Sequence, residues 1–121
     1  MGLDMYAFAT MEKPATPVDF KVEEMRELHT WRKHPNLHGW MQELYYDKGG
    51  TAECFNCVPV VLSVEDLDRL EAAIRAKELP HTIGFFFGET DGTEAEDDLA
   101  FIAKAREALA SGLTVYYDSW W

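Results

Sequence analysis

Three stretches of this chain carry their apolar residues along one helical stripe. Between them run short apolar segments bounded by Gly and Pro. That alternation constrains the fold more than any other feature, because a helix with one apolar face must bury it and a single sheet can receive several such faces.

The clearest stripe begins at Pro35, a residue suited to a first helical turn because its missing N–H is not needed there. Leu37, Trp40, Met41, Leu44 and Tyr45 follow at helical spacing, and Asp47-Lys48-Gly49-Gly50 ends the element. The second helix opens on Ser63 as N-cap, with Glu65 and Asp66 where the helix dipole favours anions. Leu67, Leu70 and Ile74 form its inner face, and Pro80 closes it. For the third, Thr93 and Glu96 spell a capping box, Leu99, Ile102, Ala105 and Leu109 make the stripe, and Gly112 is a natural residue just past the end.

Four segments read as strands. Gly2 to Ala9 alternates Leu3, Met5 and Ala7 against Asp4, Tyr6 and Phe8. Val58 to Leu62 is a short apolar strand in which Pro59 favours an edge or first position. Thr82 to Phe87 is a third, and Thr114 to Tyr117 a fourth. Lys13-Pro14-Ala15-Thr16-Pro17 is a loop, since each proline restricts the residue before it. Val22 to Trp31 is ambiguous: Met25 to Trp31 reads also as an extended strand, but Val22, Met25 and Leu28 at helical spacing tip the expectation to a short helix. The whole chain, residues 1–121, is therefore expected as one α+β domain with about three helices on a mixed or antiparallel sheet of about four strands.

The formal net charge is −11, from 22 acidic and 11 basic residues. A field of that sign repels phosphate backbones and argues against nucleic acid as a partner. Its first reading is a solvated acidic surface that keeps the chain in solution. It also suits docking on a basic protein surface. Its carboxylates could hold a divalent cation only outside any recognised loop spacing. No apolar run reaches the length a membrane span needs, and no basic-then-apolar leader is visible at the start. The expectation is a cytoplasmic protein without membrane contact, in which Cys54 and Cys57 are reduced thiols.

Several constellations invite chemistry. His34, His38, Cys54 and Cys57 supply the ligand count of a structural zinc site, but Pro35 places His34 outside the helix and spoils the His34–His38 geometry. No metal and no cofactor is expected. Cys54 and Cys57 form a Cys-x-x-Cys pair, yet a strand follows it rather than the helix N-terminus that would activate a thiol. Cys54 with His38 as base is a conceivable nucleophile pair, although no spacing requires the two to meet. The phosphate-binding glycine patterns are absent. The stretch Trp31 to Trp40 gathers Arg32, Lys33, Asn36 and His38 at a helix start, where an anion is welcome. Against convergence, Asn36 and His38 fall about 160° apart around the helix axis at about 100° per residue.

Met1-Gly2-Leu3-Asp4-Met5-Tyr6, Trp31-Arg32-Lys33 with Asn36, His38 and Trp40, Glu53-Cys54, Gly84-Phe85-Phe86-Phe87-Gly88 and the Tyr-Tyr-x-Ser-Trp ending form a set. In that set the chain resembles a family of small proteins encoded by bacteriophages and prophages. The resemblance runs from the first residue to Trp120, with His34-Pro35 departing from the pattern, and it implies no particular activity. Its matching positions are the candidate ligand-binding residues: Arg32, Lys33, Asn36, His38, Cys54, Phe86 and Tyr117. Two functions follow as expectations. One is a polar pocket for a small polar or anionic ligand, with or without catalysis. The other is a noncatalytic acidic protein that binds or inhibits a host protein.

Overall fold

The computed structural model describes residues 2–80, 82 and 94–121. Within them the chain forms β1 (Asp4–Thr10), β2 (Arg26–Arg32), α1 (Pro35–Asp47), β3 (Val60–Leu62), α2 (Val64–Arg75), α3 (Ala95–Ala110) and β4 (Thr114–Trp120). The strands make one antiparallel sheet in the order β2-β1-β4-β3, which makes the fold α+β.

The register sorts side chains onto two faces. Met5 stands opposite Trp31 and Ser119, and Ala7 opposite His29 and Tyr117. These residues face the helices: Trp31 meets Phe101 of α3 edge-on, and Tyr117 meets His38 of α1. The alternate residues Asp4, Tyr6 and Phe8 stand opposite Trp120, Asp118 and Tyr116 and face away. The core lies between the first face and the helices, where Leu3, Leu37, Met41, Leu62, Leu67 and Phe101 are among the fully buried side chains.

The expected helix over Val22–Trp31 is corrected to strand β2, which begins at Arg26. The physical reason is a bulge. Ala7 pairs with His29 and Phe8 with Glu27, so Leu28 is an extra residue that breaks the alternation a strand would otherwise display. Pairing with β1 then decides the conformation that local spacing left open.

The helices follow their sequence signals with local adjustments. In α2 the Ser63 hydroxyl accepts from the Asp66 N–H at 3.1 Å and Asp66 Oδ2 accepts from the Ser63 N–H at 2.9 Å, a reciprocal cap. In α3 the N-cap position belongs to Glu94, without a side-chain cap bond, and the Thr93 of the expected capping box lies outside the described residues. Its buried stripe runs through Asp98, Phe101, Ile102, Ala105 and Ala108, while Leu99 and Leu109 pack at the margin. The strand expected over Thr82–Phe87 lies, apart from Thr82, outside the described residues. Among the described residues no helix is long and apolar enough to cross a membrane.

Candidate functional site

The turn from β2 into α1 delivers most of the sequence's polar candidates, and it delivers them to different places. Arg32 is the last residue of β2 and stands opposite Asp4, with its Nε 3.4 Å from Asp4 Oδ1 on the outer face. Lys33 adopts the left-handed backbone conformation (φ 56°), is exposed, and donates its N–H to the Leu3 carbonyl at 2.8 Å. That turn costs an ordinary side chain about 1–2 kcal/mol and is sustained by the β1 contact. His34 occupies the N-cap position of α1 and is buried.

One turn of α1 then points inward. Asn36 Oδ1 accepts from the Thr82 N–H at 3.1 Å. Gly39 is required by the same neighbour, because a Cβ there would meet Thr82 Oγ1 at 1.8 Å. His38 is fully buried, with Nδ1 2.7 Å from the Tyr117 hydroxyl and its ring 4.9 Å from that of Phe55. Burial lowers the His38 pKa from 6.5 to about 4, with a backbone bond at Phe55 opposing the fall. Burial likewise pushes Tyr117 well above its usual value, opposed by the adjacent Ser119 hydroxyl. At neutral pH both groups are uncharged and share one short hydrogen bond. Neither group reaches solvent.

A second buried cluster joins three elements. Asp98, in the first turn of α3, accepts from Trp31 Nε1 at 2.9 Å and sits 2.8 Å from His34 Nε2, and both side chains of the His34–Asp98 pair are 2% exposed. The sequence reading missed Asp98 and set His34 aside. The signal was there in Trp31, whose indole N–H needs an acceptor once the ring is buried. At the rim, His29 Nε2 lies 2.8 Å from Asp97 and its Nδ1 lies 3.2 Å from Lys104 Nζ.

The cysteines stand elsewhere. Cys54 and Cys57 are free and exposed. Cys57 donates its N–H to the Ser119 carbonyl at 2.8 Å, and burial together with Asp118 raises its thiol pKa, which disfavours the thiolate. Between them, Asn56 is tied to Trp121 by bonds of 2.8 and 3.0 Å. Of the candidate residues, therefore, His38 and Tyr117 are brought together. Arg32 is carried to the other face of the sheet, Cys54 to the surface, and Phe86 lies outside the described residues. Among the described residues no three His, Cys, Asp or Glu side chains form a metal-binding group.

The outer face of the sheet has a different character. Tyr6 stacks on Phe8 at 5.8 Å, Phe8 meets Tyr116 at 5.4 Å, and Phe20 covers Tyr116 edge-on at 5.2 Å. Phe20 closes one end of this face; at the other, Trp120 is 65% exposed beside Asp4. Asp118 stands opposite Tyr6, half-buried, with Oδ1 accepting its neighbour Ser119 N–H at 2.8 Å. Burial raises the Asp118 pKa, with that backbone bond opposing the rise. The Tyr6 phenol is raised too, first by desolvation and then by Asp4, Glu27 and Asp118. An open cleft of about 330 Å³ lies past the ends of β1 and β2, between Met11, Glu12, Glu24, Met25 and Leu113. None of the candidate residues lines it.

Compared with known proteins, the chain matches no family model, no curated protein and no solved structure.

Proposed function

We propose that this chain is a noncatalytic binding protein that docks a basic surface of another protein on the outer face of its sheet. One observation carries the reading. The helices occupy one side of the sheet, while the other presents Tyr6 and Phe8 in ring contact, packed on a Tyr116 that Phe20 covers, with Asp4, Glu27 and Asp118 around them. Aromatic rings supply contact area at low entropic cost, and carboxylates around them select for positive charge. The net charge of −11 acts in the same direction at longer range. The resemblance to small bacteriophage and prophage proteins fits a chain whose partner is a host protein.

The small-ligand pocket draws less support. It needs Arg32, His38 and Cys54 to converge, and Arg32 and His38 lie on opposite faces of the sheet, while Cys54 is exposed. The buried imidazole and the buried phenol bond to each other across α1 and β4, and neither faces a ligand-accessible surface.

Site-specific photo-crosslinking tests the proposal. A photoreactive phenylalanine analogue is placed at Phe8 or at Trp120, and in a control at exposed Val64 of α2. The expected result is one basic protein captured from the first two positions and not from Val64. Purified, it should rebind the parent chain and fail to rebind Asp118→Lys. Equal capture from Val64, or an acidic partner, would overturn the reading.

A further inference from the structure

The docking face is not uniformly acidic, and its charges are not equally satisfied. Asp4 has Arg32 at 3.4 Å. Asp118 has given up part of its water shell, and in return holds one neutral donor, the Ser119 N–H. Among the described residues no Lys, Arg or His nitrogen lies within ion-pair distance of it, although Asp66 and Glu71 of the same chain each pair with two cations. A half-buried carboxylate in this position is a standing electrostatic deficit that an incoming cation removes.

The neighbours of Asp118 narrow the kind of cation. Tyr6 stands directly across from it on β1, and Trp120 lies two residues along the same face of β4. An aromatic ring beside a carboxylate suits a planar guanidinium, which stacks on the ring while its forked N–H groups reach the oxygens. An ammonium satisfies the charge alone. The exposed indole of Trp120 offers apolar surface for the methylene stem of such a side chain. The same carboxylates oppose a nucleic acid, whose bases the aromatic rings could otherwise stack.

Resting on the proposed docking function, we infer that the partner engages through an arginine of a basic protein segment, seated between the Asp118 carboxylate and the Tyr6 ring. Asp118 anchors the guanidinium, Tyr6 stacks on it, and Glu27 draws the flanking positive charge of the segment.

The experiment is an NMR titration of isotope-labelled protein with a short peptide alternating Arg and Thr, at low salt. The expected result is shifts centred on the amides of Tyr6, Phe8, Tyr116 and Asp118, weakening as salt is raised. Asp118→Asn should weaken peptide binding roughly fivefold or more, and replacing the peptide's Arg by Lys should weaken it several-fold. Tyr6→Leu gives an independent reading should Asp118→Asn melt early. If the same amides shift but neither variant changes the affinity, the arginine seat is wrong and the docking face stands. If the peptide leaves that face unshifted, or if a single-stranded oligonucleotide shifts it instead, the docking reading falls as well.

Discussion

The Tyr117 hydroxyl lies 2.7 Å from His38 Nδ1, and both side chains are fully buried. The strand and the helix that meet there are separated by most of the chain, so this bond fixes α1 against β4. It also stores a proton-linked stability, because each partner is held neutral by the same burial.

The sign of that linkage is definite. Folded His38 titrates at about 4 and an unfolded histidine near 6.5, so between those values the unfolded chain binds more protons. Stability contributed by neutral His38 is complete above pH about 6.5 and is lost as pH falls toward about 4. The loss is about 1.4 kcal/mol per pH unit and on the order of 3 kcal/mol in all. Urea unfolding of the parent and His38→Gln across this range should give a steeper decline for the parent. The comparison isolates His38 from Asp118, whose raised pKa acts in the opposite sense. Parallel pH profiles would mean that His38 takes up its proton as readily in the folded state as in the unfolded one.

Trp31 should be needed for its indole N–H as well as its bulk. Trp31→Phe keeps a ring against Phe101 but removes the donor that reaches Asp98 at 2.9 Å. A buried carboxylate deprived of one bond should cost about 1–3 kcal/mol. Trp120→Phe, at a position 65% exposed, should change stability by less than about 0.5 kcal/mol. Equal effects of the two substitutions in thermal melts would contradict the assignment.

These residues also mark where the sequence was legible. The stripe from Leu37 to Tyr45 and the Ser63 cap were readable because spacing and capping are local properties of the chain. Strand β2 was not, since the extra residue at Leu28 hides its alternation until β1 supplies a partner. The His38–Tyr117 bond and the Trp31–Asp98–His34 cluster depend on residues more than sixty positions apart meeting across the sheet. Local spacing carries no such information. The outer face was half visible: alternation in Asp4, Tyr6 and Phe8 gave its pattern, but only the register with β4 places Asp118 beside Tyr6.

Gly39 presents a helix glycine that alanine should not improve. In an open helix interior the change would gain about 1 kcal/mol. Here the new Cβ would fall 1.8 Å from Thr82 Oγ1 and 2.9 Å from its Cβ, so α1 or the segment at Thr82 must move. Gly39→Ala should destabilise by about 1–3 kcal/mol, and Thr82→Gly should relieve most of that penalty in the double variant. Additive penalties in chemical denaturation would place the obstruction elsewhere.

Asp66 has two cationic partners, and burial decides which one matters. Lys48 reaches it from the C-terminal end of α1, with Nζ 2.5 Å from Oδ2, and the Lys48 side chain is 19% exposed. Its ammonium also meets the Val61 carbonyl, so it ties α1 to β3 and to the start of α2. Arg69 lies 2.7 Å from Oδ1 but is 61% exposed, within a single turn of α2. Although burial alone would raise the Asp66 pKa, Lys48, the Ser63 N–H and Arg69 together hold it below its usual value. Lys48→Met should therefore cost about 1.5–3 kcal/mol, with little change as salt is added, because the bond is charge-assisted and shielded. Arg69→Met should cost less than about 1 kcal/mol, and that difference should fade in high salt. Asp66 itself contributes stability above its unfolded pKa of about 3.9 and loses it as pH falls below that value, a window more acidic than that of His38. Denaturant titrations of both variants at two salt concentrations make the comparison. A larger effect at Arg69 would mean that the pair within α2, and not the buried lysine, carries the stability contributed at Asp66.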